Sequence, residues 1–97
     1  MTGKLYSVYI LTNYTKSVLY TGVTGEELKL RIYQHKAKVG SSFTSTYKVN
    51  KLVYYEIHED PKEAIKREKQ IKNLLRSKKI AMINRFNPSW TDLYVDL

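Results

Sequence analysis

Residues 7–35, SVYILTNYTKSVLYTGVTGEELKLRIYQH, hold two short β-branched and aromatic runs followed by a helical pattern, and this order decides the fold. Ser7-Val8-Tyr9-Ile10-Leu11 predicts one strand and Val18-Leu19-Tyr20-Thr21-Gly22-Val23 a second, with the polar Thr12 to Ser17 as a hairpin connection. A turn centred on Tyr14 and Thr15 sets Tyr9 and Tyr20 side by side across the pair, on one face of the sheet. A helix then begins after Thr24-Gly25, with Thr24 as N-cap and Glu26 and Glu27 at the positive end of the helix dipole, and runs to about Lys38. At about 100° per residue, Leu28, Ile32 and Val39 share a face, His35 falls among them and Arg31 lies at the border. A histidine on such a face either bonds a backbone carbonyl in the core or projects with Arg31, one turn earlier, toward the tyrosines.

Outward from this stretch, Val39 to Asn50 reads as a Ser- and Thr-rich connection with Phe43 and Tyr47 as anchors. It is either a solvated loop or, through Lys48, a contact for phosphates. Lys51 to His58 alternates as a third strand, with Tyr54 and Tyr55 in the core. Asp60-Pro61-Lys62-Glu63 is a capping box with proline at the first helical position. The helix it opens has Ala64, Ile65, Ile71 and Leu75 as its inward stripe. Glu68 interrupts that stripe, where an unpaired carboxylate costs roughly 3 to 5 kcal/mol, so it needs a cation. Arg31 in an ion pair is one candidate, and a divalent metal completed by water and substrate phosphate is the other. Arg67, Lys69, Lys72, Arg76, Lys78 and Lys79 make the end of this helix and the start of the next basic. Ser77 caps a last helix through about Phe86, with Ile80, Ile83 and Phe86 inward, until Asn87-Pro88 stops it, and Trp90 to Leu97 pack back as a tail.

The 97 residues suit one domain, 1–97, with no linker or internal repeat. No cysteine is present, which excludes a disulfide framework and a thiolate metal site and fits a reducing cytoplasm. Neither an export signal nor a membrane-spanning run is expected. Seventeen Lys and Arg against nine Asp and Glu leave a net charge of +8, accompanied by nine tyrosines. Such a field either attracts a polyanion, with nucleic acid as the expected partner of a monomeric domain, or only keeps that domain soluble.

Ser7-Val8-Tyr9, the eleven-residue step to Tyr20-Thr21-Gly22, then Arg31 and His35 on the following helix, resemble the GIY-YIG nuclease superfamily. Arg67-Glu68-Lys69 and Asn87-Pro88-Ser89-Trp90 extend the resemblance over nearly the whole chain. Ser7 and Val8 replace the usual Gly and Ile, and Thr21 stands where Ile is usual. In length and order the chain looks most like the small stand-alone bacterial members. The resemblance implies an α/β fold: a small three-stranded, mainly antiparallel sheet covered by helices in the order β-β-α-β-α-α. It also implies a metal-dependent endonuclease acting on DNA, in repair or recombination, with a nucleic-acid-binding module that does not cut as the alternative. By the same resemblance, Glu68 would hold Mg²⁺ or Mn²⁺, Tyr20 would take the proton of the attacking water, and Tyr9 would orient that water or the phosphate. Arg31 would stabilise the pentavalent oxyanion and His35 would relay a proton or position the phosphate, while Gly22, Lys48, Lys72 and Asn87 would contact substrate.

Overall fold

Strand β1 (Tyr6–Thr12) is central because it is apolar on both faces, every residue from Ser7 to Thr12 being buried. The computed structural model describes residues 3–37 and 48–97. β1 is flanked by β2 (Leu19–Thr24) and β3 (Lys51–His58), giving the order β2-β1-β3 with both pairings antiparallel. The connection between β1 and β2 is tied by Asn13. Its side-chain oxygen accepts from the Ser17 and Val18 amides at 2.9 and 3.1 Å, while Lys16 takes a positive φ of 61°.

The register corrects one expectation. Tyr9 opposes Gly22, and Tyr20 opposes Leu11, so the tyrosines share a face but stand diagonally, two positions apart. β3 carries a further irregularity: Ile10 opposes Tyr54 while Leu11 opposes Leu52, leaving Val53 as an extra residue. This bulge breaks the simple alternation, so Val53 and Tyr54 enter one core cluster, and Leu52 and Tyr55 belong to the other.

Helices cover both faces. Helix α1 (Leu28–Lys36) buries Leu28, Ile32 and His35 over the face that carries Tyr9 and Leu11. It starts three residues later than the Thr24 cap implies, because Thr24 Oγ1 instead accepts from the Glu26 amide at 3.0 Å in a turn ahead of the helix. Lys38, Val39, Phe43 and Tyr47 lie outside the described residues. On the opposite face pack α2 (Pro61–Lys72) and α3 (Arg76–Phe86), through Ala64, Ile71 and Ile83 against Val8, Ile10 and Val53. Asp60 caps α2 as expected, accepting from the Lys62 amide at 3.0 Å.

Three expected core positions are not in the core. Ile65 and Leu75 are exposed, the first at the margin of the buried stripe and the second beyond the end of α2. Ser77 lies inside α3, whose N-cap is Leu75 with no side-chain bond. Phe86 is half exposed and meets Tyr54 and Tyr55 edge-on. A C-terminal 3₁₀ turn (Leu93–Asp96) returns to the α1 side, where Leu93, Tyr94 and Leu97 complete the apolar layer.

Candidate active site

Tyr9 is 1% exposed, in the middle of the central strand, and its phenolic oxygen lies 3.1 Å from His35 Nε2. The geometry depends on Gly22, its cross-strand partner. A Cβ there would stand 2.6 Å from both Cζ and Oη of Tyr9, so the ring fills the space that any side chain on β2 would take. Arg31, one turn before His35 on α1, lies close enough to Tyr9 for its donors and charge to act on the phenol, and is itself held by Gln34 Oε1 at 2.9 Å. Tyr20, half-buried on β2, places its ring edge-on to His35 with centroids 5.8 Å apart. The Tyr9 ring makes the same kind of contact at 5.8 Å. Two strands and one helix thus bring Tyr9, Tyr20, Arg31 and His35 to one place, as the helical spacing of Arg31 and His35 anticipates.

Burial sets the protonation states. It holds the His35 imidazole down at about 4, and the positive charge of Arg31 acts in the same direction. At neutral pH His35 is therefore uncharged. Burial likewise raises the Tyr9 phenol, although Arg31 opposes this with a hydrogen bond and its charge. The Tyr9 hydroxyl and His35 Nε2 share one hydrogen bond, its direction set by the imidazole tautomer, with Arg31 beside the pair.

Glu68 lies on the buried stripe of α2 between Ala64 and Ile71, in the helical layer of the other face. Its cation is neither of the two expected: Lys72, one turn on, stands 2.5 Å from Oε2. Lys72 is thus placed on Glu68, while its own side chain is half exposed. Lys48 is exposed, with a positive φ of 55°. Asn87 is buried as the C-cap of α3, where its amide donates to the Val53 and Thr91 carbonyls at 3.2 and 2.8 Å and its oxygen accepts from Thr91. It thereby satisfies the carbonyl of the bulged residue in β3. Among the described residues, no group of three or more His, Cys, Asp or Glu is arranged to hold a metal ion.

A second polar cluster escaped the reading of the sequence. Glu56 on β3 receives Arg67 Nε at 3.0 Å on each oxygen and Arg67 Nη2 at 2.8 Å, with His58 Nε2 at 3.0 Å and a very short bond from the Tyr54 hydroxyl. Burial pushes the Glu56 carboxyl up, but the bonds from Arg67, Tyr54 and His58 outweigh it and hold the group at about 2. Burial and the Glu56 partner push Tyr54 up to about 12. The signal available in the sequence was Tyr54, Glu56 and His58 at alternate positions of one strand, with Arg67 facing them from the next helix.

Comparison with known proteins places these features in a family. The model described as the GIY-YIG catalytic domain matches residues 5–81. UPF0213 proteins of Staphylococcus aureus strains Mu3 and N315 are each 37% identical over 65 residues, covering 67% of this chain and 78% of theirs. The solution NMR structure of the UPF0213 protein BH0048 from Bacillus halodurans superposes with a TM-score of 0.57 at 27% identity, over 91% of this chain and 92% of that one.

Proposed function

Because the chain belongs to the GIY-YIG catalytic-domain family, which is a nuclease family, we propose that it is a divalent-metal-dependent endonuclease hydrolysing DNA phosphodiester bonds, in repair or recombination. The observation that carries this reading is the 3.1 Å bond between Tyr9 and a neutral His35, with Arg31 close by and Tyr20 edge-on to the imidazole. A core network would serve packing equally well with two of these groups. Four convergent groups that can donate, accept and stabilise negative charge suit attack at phosphorus.

In this mechanism Tyr20 takes the proton of the attacking water, and the bond from phosphorus to the leaving sugar oxygen breaks. Arg31 opposes the charge that builds on the phosphoryl oxygens. Tyr9, held against His35 and beside Arg31, orients the phosphate or the water, and a neutral His35 passes a proton through its hydrogen bond with Tyr9. Gly22 serves by leaving room for the Tyr9 ring. Glu68 is a single hard carboxylate whose partner, Lys72, is exposed enough to swing aside, and this donor suits Mg²⁺ or Mn²⁺ completed by water and phosphate. Such an ion would supply neutralisation of phosphate charge and acidification of water. Lys72 and Lys48 would meet backbone phosphates, whereas Asn87 acts at a distance by holding the β3 bulge.

Incubation of supercoiled, linear, branched and single-stranded DNA with and without Mg²⁺ or Mn²⁺ tests the reading. Tyr20→Phe is expected to lower single-turnover cleavage by roughly 10² to 10⁴ with DNA affinity nearly unchanged, and Tyr6→Phe to have no effect. Glu68→Gln is expected to abolish cleavage. Parental rates for Tyr20→Phe would refute the mechanism. One observation favours a binding module instead, the occupation of Glu68 by Lys72. DNA binding without products in either metal would establish it.

A further inference from the structure

On the edge of β3 away from β1 lies a cleft of about 250 Å³ lined by Tyr54, Arg67, Met82, Arg85 and Phe86. Phe86 forms the corner of this edge. Its ring meets Tyr54, which belongs to the α2–α3 layer, with centroids 5.0 Å apart, and Tyr55, which belongs to the α1 layer, at 5.6 Å. Both contacts are edge-on, and Phe86 is 48% exposed, so part of its ring remains open to a ligand. Tyr55 is in turn the cross-strand partner of Tyr9. The rings of Tyr9, Tyr55 and Phe86 therefore lead from the candidate active site to the cleft. One strand spacing plus the Tyr55–Phe86 separation is roughly 10 Å, short enough for a single nucleic-acid strand to occupy both.

The chemistry of the lining narrows the occupant. Arg67 is committed to Glu56 by three hydrogen bonds and forms a fixed, neutralised wall. Met82 and the Phe86 ring supply apolar and aromatic surface, and Arg85, exposed on the last turn of α3, supplies the cation at the rim. An aromatic face with one cation beside it takes a planar heterocycle and its phosphate, and the net charge of +8 favours a polyanion over a neutral ligand.

Resting on the nucleic-acid reading above, we propose that this cleft receives an unpaired nucleobase of the strand engaged at the Tyr9 cluster. The base stacks on Phe86 and lies against Met82, and Arg85 meets the adjoining phosphate. Bases inside a duplex are stacked on their neighbours and do not reach such a cleft. The protein therefore prefers DNA that carries a single-stranded segment next to the site of engagement.

Fluorescence anisotropy in EDTA, with the full chain and fluorescein-labelled blunt duplexes or duplexes carrying a thymidine tail, tests this without reference to cleavage. The parent is expected to bind the tailed duplex about tenfold more tightly, a factor within the range of one base stacked on an aromatic ring. Phe86→Leu and Arg85→Gln are each expected to reduce that preference at least threefold while binding of the blunt duplex stays within twofold. Phe86→Leu keeps apolar volume, and Arg85→Gln changes an exposed side chain, so the second keeps the test decisive if the first unfolds. Equal affinity of the parent for blunt and tailed DNA, or equal losses on both by the Arg85 variant, would overturn the proposal. Tail preference without any cleavage in Mg²⁺ or Mn²⁺ would support the cleft and refute the nuclease. Cleavage without tail preference would do the reverse.

Discussion

At Gly22 the absence of one carbon shapes the site. The Tyr9 ring lies where a Cβ would be, at 2.6 Å from two of its atoms. Gly22→Ala is expected to cost about 1 to 3 kcal/mol by forcing the ring aside, and to break the Tyr9–His35 bond with it. The check is a thermal melt paired with an NMR titration, in which the displaced Tyr9 ring opens the site to water, relieves the burial that holds the His35 imidazole at about 4, and lets it rise toward its ordinary value. An unchanged melt and titration would contradict the packing described. His35 and Glu56 also predict how acid acts. The folded His35 titrates near 4 against 6.5 in the unfolded chain, so between these values the unfolded state binds more protons, and stability falls as pH drops through that window. Glu56, near 2 against 4.5, adds a second fall from about pH 4.5 to 2. Urea unfolding across pH should show the upper loss flattened in His35→Gln and the lower loss flattened in Glu56→Gln.

Among the elements, the C-terminal turn is held by the side chain of Asp92, which reaches one other side chain and two backbone amides. Asp92 accepts from the Leu52 and Tyr94 amides at 3.1 Å each and pairs with Lys36 Nζ at 2.5 Å, while Lys36 also donates to the Asn50 carbonyl and lies over the Tyr94 ring. Lys36 follows His35 on α1, so this clasp joins the helix of the candidate site to β3 and the tail. Asp92→Ala leaves the amide of the buried Leu52 without its acceptor, at an expected cost of about 1 to 3 kcal/mol. Chemical denaturation of this variant should show that loss, whereas a parental midpoint would mean that the turn contributes nothing to the fold.

Over the whole molecule, the surplus of cations governs affinity. With net charge +8, DNA binding in EDTA is expected to weaken by orders of magnitude from low to high salt, each phosphate contact adding nearly one unit to the slope of log affinity against log salt. An anisotropy titration with no salt dependence would remove DNA as the partner. None of the helices among the described residues is long and apolar enough to cross a membrane.

What the sequence by itself determined was whatever local periodicity and capping control. The strands to within one residue at each end, the Asp60-Pro61 helix start, the Asn87-Pro88 stop and the common face of Arg31 and His35 all follow from spacings of a few residues, and they stand in the structure. The resemblance carried by Tyr9, Tyr20, Gly22, Arg31 and His35 pointed to the family that the comparisons then identified. Only the tertiary structure decided the register that sets Tyr9 on Gly22, since a shift of two residues keeps the same faces and leaves the pattern unaltered. It likewise decided the bulge at Val53, whose carbonyl is satisfied by Asn87 from 34 residues away, and the choice of Lys72 as the cation of Glu68. The Glu56 cluster was hidden for the same reason. A buried charge states in the sequence that it needs a partner, but which partner it finds depends on how separate elements dock, and that is settled by packing across the sheet rather than by any neighbour along the chain.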